Sequence, residues 1–551
     1  MAEASTDKMV ITNTLGTNEV DFDFLIVGGG TAGCVIASRL AEELPNKRIL
    51  VVEAGPSDWQ DENILQLKNL LNLLGGEYDH NYTSTEQDFG NSHIVHSRAK
   101  VLGGCSSHNG GIAMHPWEYD CKKWAEAGVE GWSFETFTRL VKKLRNTINR
   151  IPDGQRNPLV NDWIESASKA LGIPVTEDFN SEVVSPARMT AGAVGYLPVT
   201  YDPDNGHRSS ASVAYIHPIV KGDEKRPNLK ILTNACVNNI NVMKDTAAGV
   251  DSGQRITISA KGETILCAGS IDTPRLMLLS GLGPREDLET VGIPVVRDIP
   301  GVGENLMDHP ETIIAWEMNE EIPPQTAMHS DAAILVRREP ANAAGDDGTL
   351  PDMMMHIFTV PFDTNLKRLG YASEQPKTLF SVVPNIPRSR SRGKISLQAV
   401  DPKEKPAIDF RYFTDPEDYD EASVVWGLKA ARKIAEESPF KGWIKREFAP
   451  CPAIQSDKEL SEYGRKAGNT VFHPCGTTKM GNIQTDPLAV VDSELRVKGI
   501  KKLRIADAGV FPLIPTINLM LTVLAVGERA AEMIVADAIM RTGDVPRDSR
   551  L

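Results

Sequence analysis

FDFLIVGGGTAGCVIASRLAEEL, residues 22–44, is followed after two residues by KRILVVEAG, residues 47–55, and these two stretches decide the fold. The apolar run 22–27 has the length and composition of a buried strand, and it ends in Gly28, Gly29 and Gly30. Thr31, Ala32 and Gly33 then open a segment with apolar residues at helical spacing. A second apolar run closes on Glu53 and Ala54, with the acid 20 residues beyond Gly33. Strand, glycine turn, helix, strand and acid together form a dinucleotide-binding fingerprint. Glycines permit a tight turn and close approach of backbone to a pyrophosphate, the helix N-terminus attracts its charge, and the acid takes ribose hydroxyls. NAD and FAD sites share this pattern, so the stretch alone does not separate them.

The totals bound what surrounds this unit. At 551 residues the chain is long enough for two to four domains, its 41% hydrophobic and 24% charged content is ordinary for a globular protein, and disordered and fibrous classes are excluded. A net charge of −15 repels nucleic acid and anionic membrane. The most apolar window, 511–527, is short and broken by Pro512 and Pro515, so no membrane span is expected. Seven scattered cysteines without a C-x-x-C pair favour a reducing, intracellular compartment over a disulfide framework. The last three residues, Ser549-Arg550-Leu551, resemble a peroxisomal address, with cytoplasm as the alternative.

The nucleotide-binding part is discontinuous. ETILCAGSIDTPRLMLLSG (263–281) and RIADAGVFP (504–512) again show strand and glycine-turn character, while short β-type runs at 311–319, 331–338, 352–360, 377–384 and 393–399 predict an antiparallel sheet between them. The reading is an α/β (α+β overall) chain. A Rossmann-like domain spans 20–155, 225–311 and 467–542, and a substrate domain of antiparallel sheet flanked by helices spans 156–224 and 312–466. Residues 1–19 and 543–551 are tails.

One loop stands out: GGCSSHNGG, residues 103–111, sets His108 among residues with almost no bulk. Small residues let something flat and large lie against a backbone. Cys105 and His108 make half a zinc pattern, but no second pair with ligand spacing exists, and no metal is expected.

Four motifs in order identify a resemblance over essentially the whole chain: the fingerprint ending at Glu53, HSRAKVLGGCSSHNGGIAMHP from His96, ETILCAGSIDTPRLMLLSGLGP from Glu263, and NTVFHPCGTTKMG from Asn469 with the following DAGVFPLIPTINLML. The chain resembles the glucose-methanol-choline (GMC) oxidoreductases, and within them the choline-oxidase branch, in HRSSASVAYIHPIV, GVGENLMDHPE, PDMMMHIFTVPFD and FRYFTDPED. The resemblance implies FAD lying along Lys100, Val101, Gly103, Gly104, Ser107, His108, Asn109, Gly110 and Ile112. Further contacts fall on Val237, Ala268, Gly269, Asp507, Ala508, Asn518 and Leu519. It implies a covalent bond from His108 to the flavin 8α-methyl group; the alternative is a histidine that packs on a non-covalent flavin.

The implied chemistry is oxidation of an alcohol, by loss of the hydroxyl proton and hydride transfer to flavin N5, with dioxygen as acceptor and hydrogen peroxide as product. Histidine suits the base. The resemblance assigns that role to His473, which from the residues alone is either a core histidine or a functional group, and the second catalytic position to Asn518, whose amide can hold the substrate oxygen. Asn518 precedes an apolar helix whose N-terminus would stabilise negative charge on reduced flavin by about 0.3–2 kcal/mol. Glu311, facing a cationic head group, and His356 line the implied substrate cavity, with Val471 near the oxygen site and Phe472 where tyrosine is usual. Leu70 and Ser330 stand where an aromatic cage would hold a trimethylammonium, and cation–π contacts are worth about 0.5–2 kcal/mol each. The substrate is therefore a choline-like amino alcohol or a different, bulkier alcohol. The alternatives are a GMC dehydrogenase using a quinone or other acceptor and a hydroxynitrile-lyase-type non-redox enzyme. The expected partners are the alcohol and dioxygen, with a homodimer as an option and a peroxisomal import receptor if the C-terminal tripeptide is read.

Overall fold

The structure, a computed structural model, describes residues 10–16, 21–183, 192–338, 350–362, 365–371 and 375–542. Ser549-Arg550-Leu551 and most of both tails lie outside the described residues. The chain has a mixed α/β architecture built around two large sheets.

The first sheet grows from the opening motif. Asp21–Val27 pairs in parallel with Ile49–Val52 on one side and with Arg255–Leu266 on the other. Leu229–Leu232 extends the sheet beyond Ile49–Val52, and Leu503–Ile505 joins Arg255–Leu266 in parallel. Strands buried on both faces read as continuous apolar runs, which is what 24–27 and 49–52 show. Asn239–Met243 and Thr246–Asp251 add an antiparallel edge. Helices Thr31–Glu43 and Met520–Thr542 pack together against this sheet, so a helix from each end of the chain covers the same core.

The second sheet is antiparallel throughout, in the order Ile444–Ala449, Ile314–Met318, Leu379–Asn385, Met353–Phe358, Ala332–Val336, Gly192–Tyr196. Four of the five predicted runs belong to it. The fifth differs: Lys394–Ser396 leaves the sheet and pairs with Ala407–Asp409 in a separate ribbon, its Ile395 packed in a small core with Ile408 and Phe410. Alternation marks a strand with one buried face and does not say which sheet buries it. Among the described residues no helix is long and apolar enough to cross a membrane, and all seven cysteines are free.

Candidate active site

Two glycine turns meet between the sheets. A Cβ on Gly104 would stand 2.7 Å from the Gly30 Cα, so the 28–33 turn and the 103–111 loop touch backbone to backbone. They border a cavity of about 700 Å³ that runs from the end of the first sheet to the face of the second.

Its nucleotide end fits a dinucleotide. Helix Thr31–Glu43 starts at Gly30 with no side-chain cap, leaving first-turn N–H groups for an anion. Gly269, at φ +87°, faces open space where a side chain would otherwise project. Glu53 lines the cavity, but its oxygens also accept the Gly29 and Gly55 N–H groups, each at 2.8 Å. Burial pushes this carboxyl up to about 7 against the pull of those two donors. The acid thus ties the glycine turn to the end of the second strand, and a hydroxyl would have to bind the lone pairs that remain. Asp507 behaves similarly, accepting from Gly269 N at 2.9 Å, Gly509 N at 2.7 Å and Thr273 Oγ1 at 2.6 Å.

The cavity is lined by Gly28, Gly30, Thr31, Ala32, Ala54, Lys100, Gly104, His108, Asn109, Gly110, Ile112, Val237, Ala268, Gly269, Ala508 and Leu519 from the nucleotide set. Four others lie behind its wall. A Cβ on Gly33 would meet the Gly28 carbonyl at 2.1 Å, so this glycine serves strand–helix contact. Val101 packs with Ile64 and Leu73. Gly103, at φ +89°, leaves room for Ser107 Oγ and Ser212 Oγ, and Ser107 Oγ itself donates to Leu102 O at 2.9 Å. Those residues shape the loop from inside.

His108 is buried within the loop, and burial lowers its pKa to about 4. Its Nε2 lies 2.8 Å from Leu73 O, and a carbonyl only accepts, so the proton sits on Nε2. Nδ1 keeps the lone pair, 3.4 Å from Ser97 Oγ.

At the other end, His473, Asn518, Glu311, His356, Val471, Phe472, Leu70 and Ser330 all line the same cavity. The short strand Pro310–Glu311 pairs with Asn469–Thr470 and with Asn385, which brings Glu311 and the segment carrying His473 to the second sheet. His473 Nε2 is 3.5 Å from Asn518 Nδ2. Burial, and then the nearby His309, Arg98 and His356, hold His473 well below the usual imidazole range. Burial alone lowers His356 to about 4. Both rings are neutral, and His356 Nε2 and Asn518 Oδ1 are buried without a hydrogen-bond partner among the described residues. Orphaned polar atoms are costly, and a polar substrate would satisfy them.

His473 is set by residues to which the sequence alone assigns no role. Its Nδ1 is 2.8 Å from His309 Nδ1, and His309 Nε2 is 3.0 Å from Pro515 O. The carbonyl requires a proton on His309 Nε2, so the neutral His309 accepts at Nδ1, His473 donates from Nδ1, and the lone pair of His473 Nε2 faces the cavity. Burial keeps His309 neutral, at about 3. Asp308 fixes the neighbouring backbone, accepting from His473 N at 3.0 Å, Thr470 Oγ1 at 2.5 Å and Tyr412 OH at 2.6 Å. Arg98 donates to Phe472 O at 2.6 Å, and Phe472 holds φ +63°, a strained value adjoining the histidine. One signal was present: His309 adjoins the strand Pro310–Glu311, within two residues of the Glu311 assigned to the cavity.

Models of the GMC oxidoreductase family match residues 22–311 and 389–527. The chain is 38% identical to a choline oxidase of Arthrobacter globiformis over 542 residues, covering 96% of each chain. It is 32% identical to an oxygen-dependent choline dehydrogenase of Brucella anthropi, covering 95% of this chain and 97% of the relative. Among solved structures, a pyridoxine 4-oxidase of Mesorbium loti superposes with a TM-score of 0.81 at 25% identity, over 93% of this chain and 98% of that one.

Proposed function

The chain belongs to the GMC oxidoreductase family and is an FAD-dependent enzyme oxidising alcohols, and on that premise we propose that it takes a small amino alcohol to its aldehyde, with dioxygen as acceptor and hydrogen peroxide as product. FAD, when bound, supplies the acceptor for the hydride that leaves carbon and the means of passing electrons to dioxygen. The observation that carries the reading is the directed chain Pro515 O, His309, His473, which leaves a neutral imidazole lone pair in the cavity beside Asn518. His473 Nε2 takes the hydroxyl proton, the Asn518 amide holds the oxygen, and His356 Nε2 offers a further polar contact. Glu311 faces a cationic head group. His108 is the site of a covalent link to the cofactor, for which the ring must leave either Leu73 O or Ser97 Oγ.

The test is a panel of choline, other amino alcohols, aryl alcohols and sugar alcohols mixed anaerobically with holoenzyme, following loss of the oxidised flavin band, then oxygen uptake and peroxide release. His473→Ala should slow flavin reduction by about 10²-fold or more. Bleaching without oxygen uptake would make the protein a dehydrogenase, and a flavin that no alcohol bleaches would refute the reading.

A further inference from the structure

The substrate end has an apolar wall beside the groups that activate the alcohol. Glu311 stands opposite Asn385, His356 opposite Val383 and Phe358 opposite Ser381. Opposed residues, and residues two apart on a strand, share a face, so Glu311, His356 and Phe358 project from the same side of the sheet. The Phe358 ring is stacked on Phe362, with centroids 3.8 Å apart and planes 2° apart; both rings line the cavity and both are only half-buried. Met328 and Leu70 extend this apolar surface toward the flavin loop, since a Cβ on Gly110 would meet their side chains at 3.0 and 3.9 Å. Glu311 is the one charged side chain that this sheet presents to the cavity among the described residues.

We propose that Phe358, Phe362, Leu70 and Met328 form an apolar subsite beside Glu311, and that the preferred substrate is an ammonium alcohol whose nitrogen carries a ring-sized apolar group instead of methyls alone. The inference rests on the function proposed above. Three features point the same way. Partly exposed ring faces inside a cavity are apolar surface still to be covered. The carboxylate and the ring faces together suit a cation with an apolar substituent, which each attracts by a different interaction. Methionine adapts its shape to the group it meets.

The experiment measures kcat/KM of the holoenzyme for choline and for benzyldimethyl(2-hydroxyethyl)ammonium by oxygen uptake and by anaerobic flavin reduction. One methylene in a fitted pocket already discriminates about 10-fold, so the benzyl compound should exceed choline by at least about that factor. Phe358→Ala and Phe362→Ala, each checked for full flavin content, should lower the benzyl value several-fold more than the choline value, chiefly through KM. Equal or better use of choline, or equal losses for both substrates in both variants, would overturn the subsite while leaving alcohol oxidation intact. A flavin that neither these nor other alcohols bleach would overturn both.

Discussion

Replacing His309 with phenylalanine tests the proton chain most directly. The ring volume is kept, while the 2.8 Å contact to His473 Nδ1 and the 3.0 Å contact to Pro515 O are lost. In the native site His473 keeps its proton on Nδ1 because His309 accepts it there. Without that acceptor the Nδ1–H becomes a buried donor with nothing to bind, which costs about 1–3 kcal/mol. The other tautomer avoids the cost by placing the proton on Nε2, where the Asn518 oxygen or the substrate can accept it, and that tautomer is no base. Each 1.4 kcal/mol is a factor of ten, so the competent tautomer falls by about 5- to 150-fold, and the limiting rate of anaerobic flavin reduction should fall by the same factor. His309→Asn is the control. Its amide oxygen can stand near the position of the lost Nδ1 and accept from His473, so it should recover part of the rate, whereas phenylalanine cannot. Stopped-flow reduction at saturating alcohol between pH 6 and 9, with flavin content matched, gives the comparison. A phenylalanine variant within about twofold of wild type, or an asparagine variant no faster than the phenylalanine one, would refute the tautomer argument.

Three further outcomes are expected. His108→Ala should release its flavin into the supernatant on acid precipitation while wild type retains it, and equal release from both would remove the covalent link. Gly104→Ala places a Cβ 2.7 Å from the Gly30 Cα at a positive φ, so it should part the two glycine turns and lower flavin occupancy of the purified protein; unchanged occupancy and thermal midpoint would contradict that contact. For pH, His356 is held to about 4 by burial against about 6.5 when unfolded. A lowered histidine means that below pH 6.5 the unfolded chain binds a proton the folded chain refuses, so this ring subtracts stability as pH falls, by about 2 kcal/mol at pH 5. Denaturant unfolding of wild type and His356→Gln at pH 7.5 and 5 isolates that contribution from the carboxyls of Glu53 and Asp120, which burial raises and which titrate with the opposite sign. The variant should lose less stability than wild type between the two pH values, and equal losses would show that the ring is not held neutral.

By itself the sequence determined the nucleotide half of this protein, because each of its signals is local. Strand length, glycine positions, helical spacing and the acid at residue 53 all fall within 34 residues, where backbone geometry is dictated by neighbours along the chain. The same locality made the glycine-rich loop legible as a segment of minimal bulk, and placed the β-type runs in antiparallel pairs. It did not reveal that the run at 393–399 abandons the large sheet, since alternation is equally satisfied by a small ribbon with its own core. Nor did it reveal His309 against His473, 164 residues apart, Asp308 clamping the histidine backbone, or Glu53 turned partly inward onto the Gly29 and Gly55 amides. Those depend on strand register and on which buried polar atoms remain to be satisfied once two sheets close on a shared cavity. Register and closure are properties of the packed whole, so the tautomer of His473 and the make-up of the cavity wall beside it were decided only by tertiary structure.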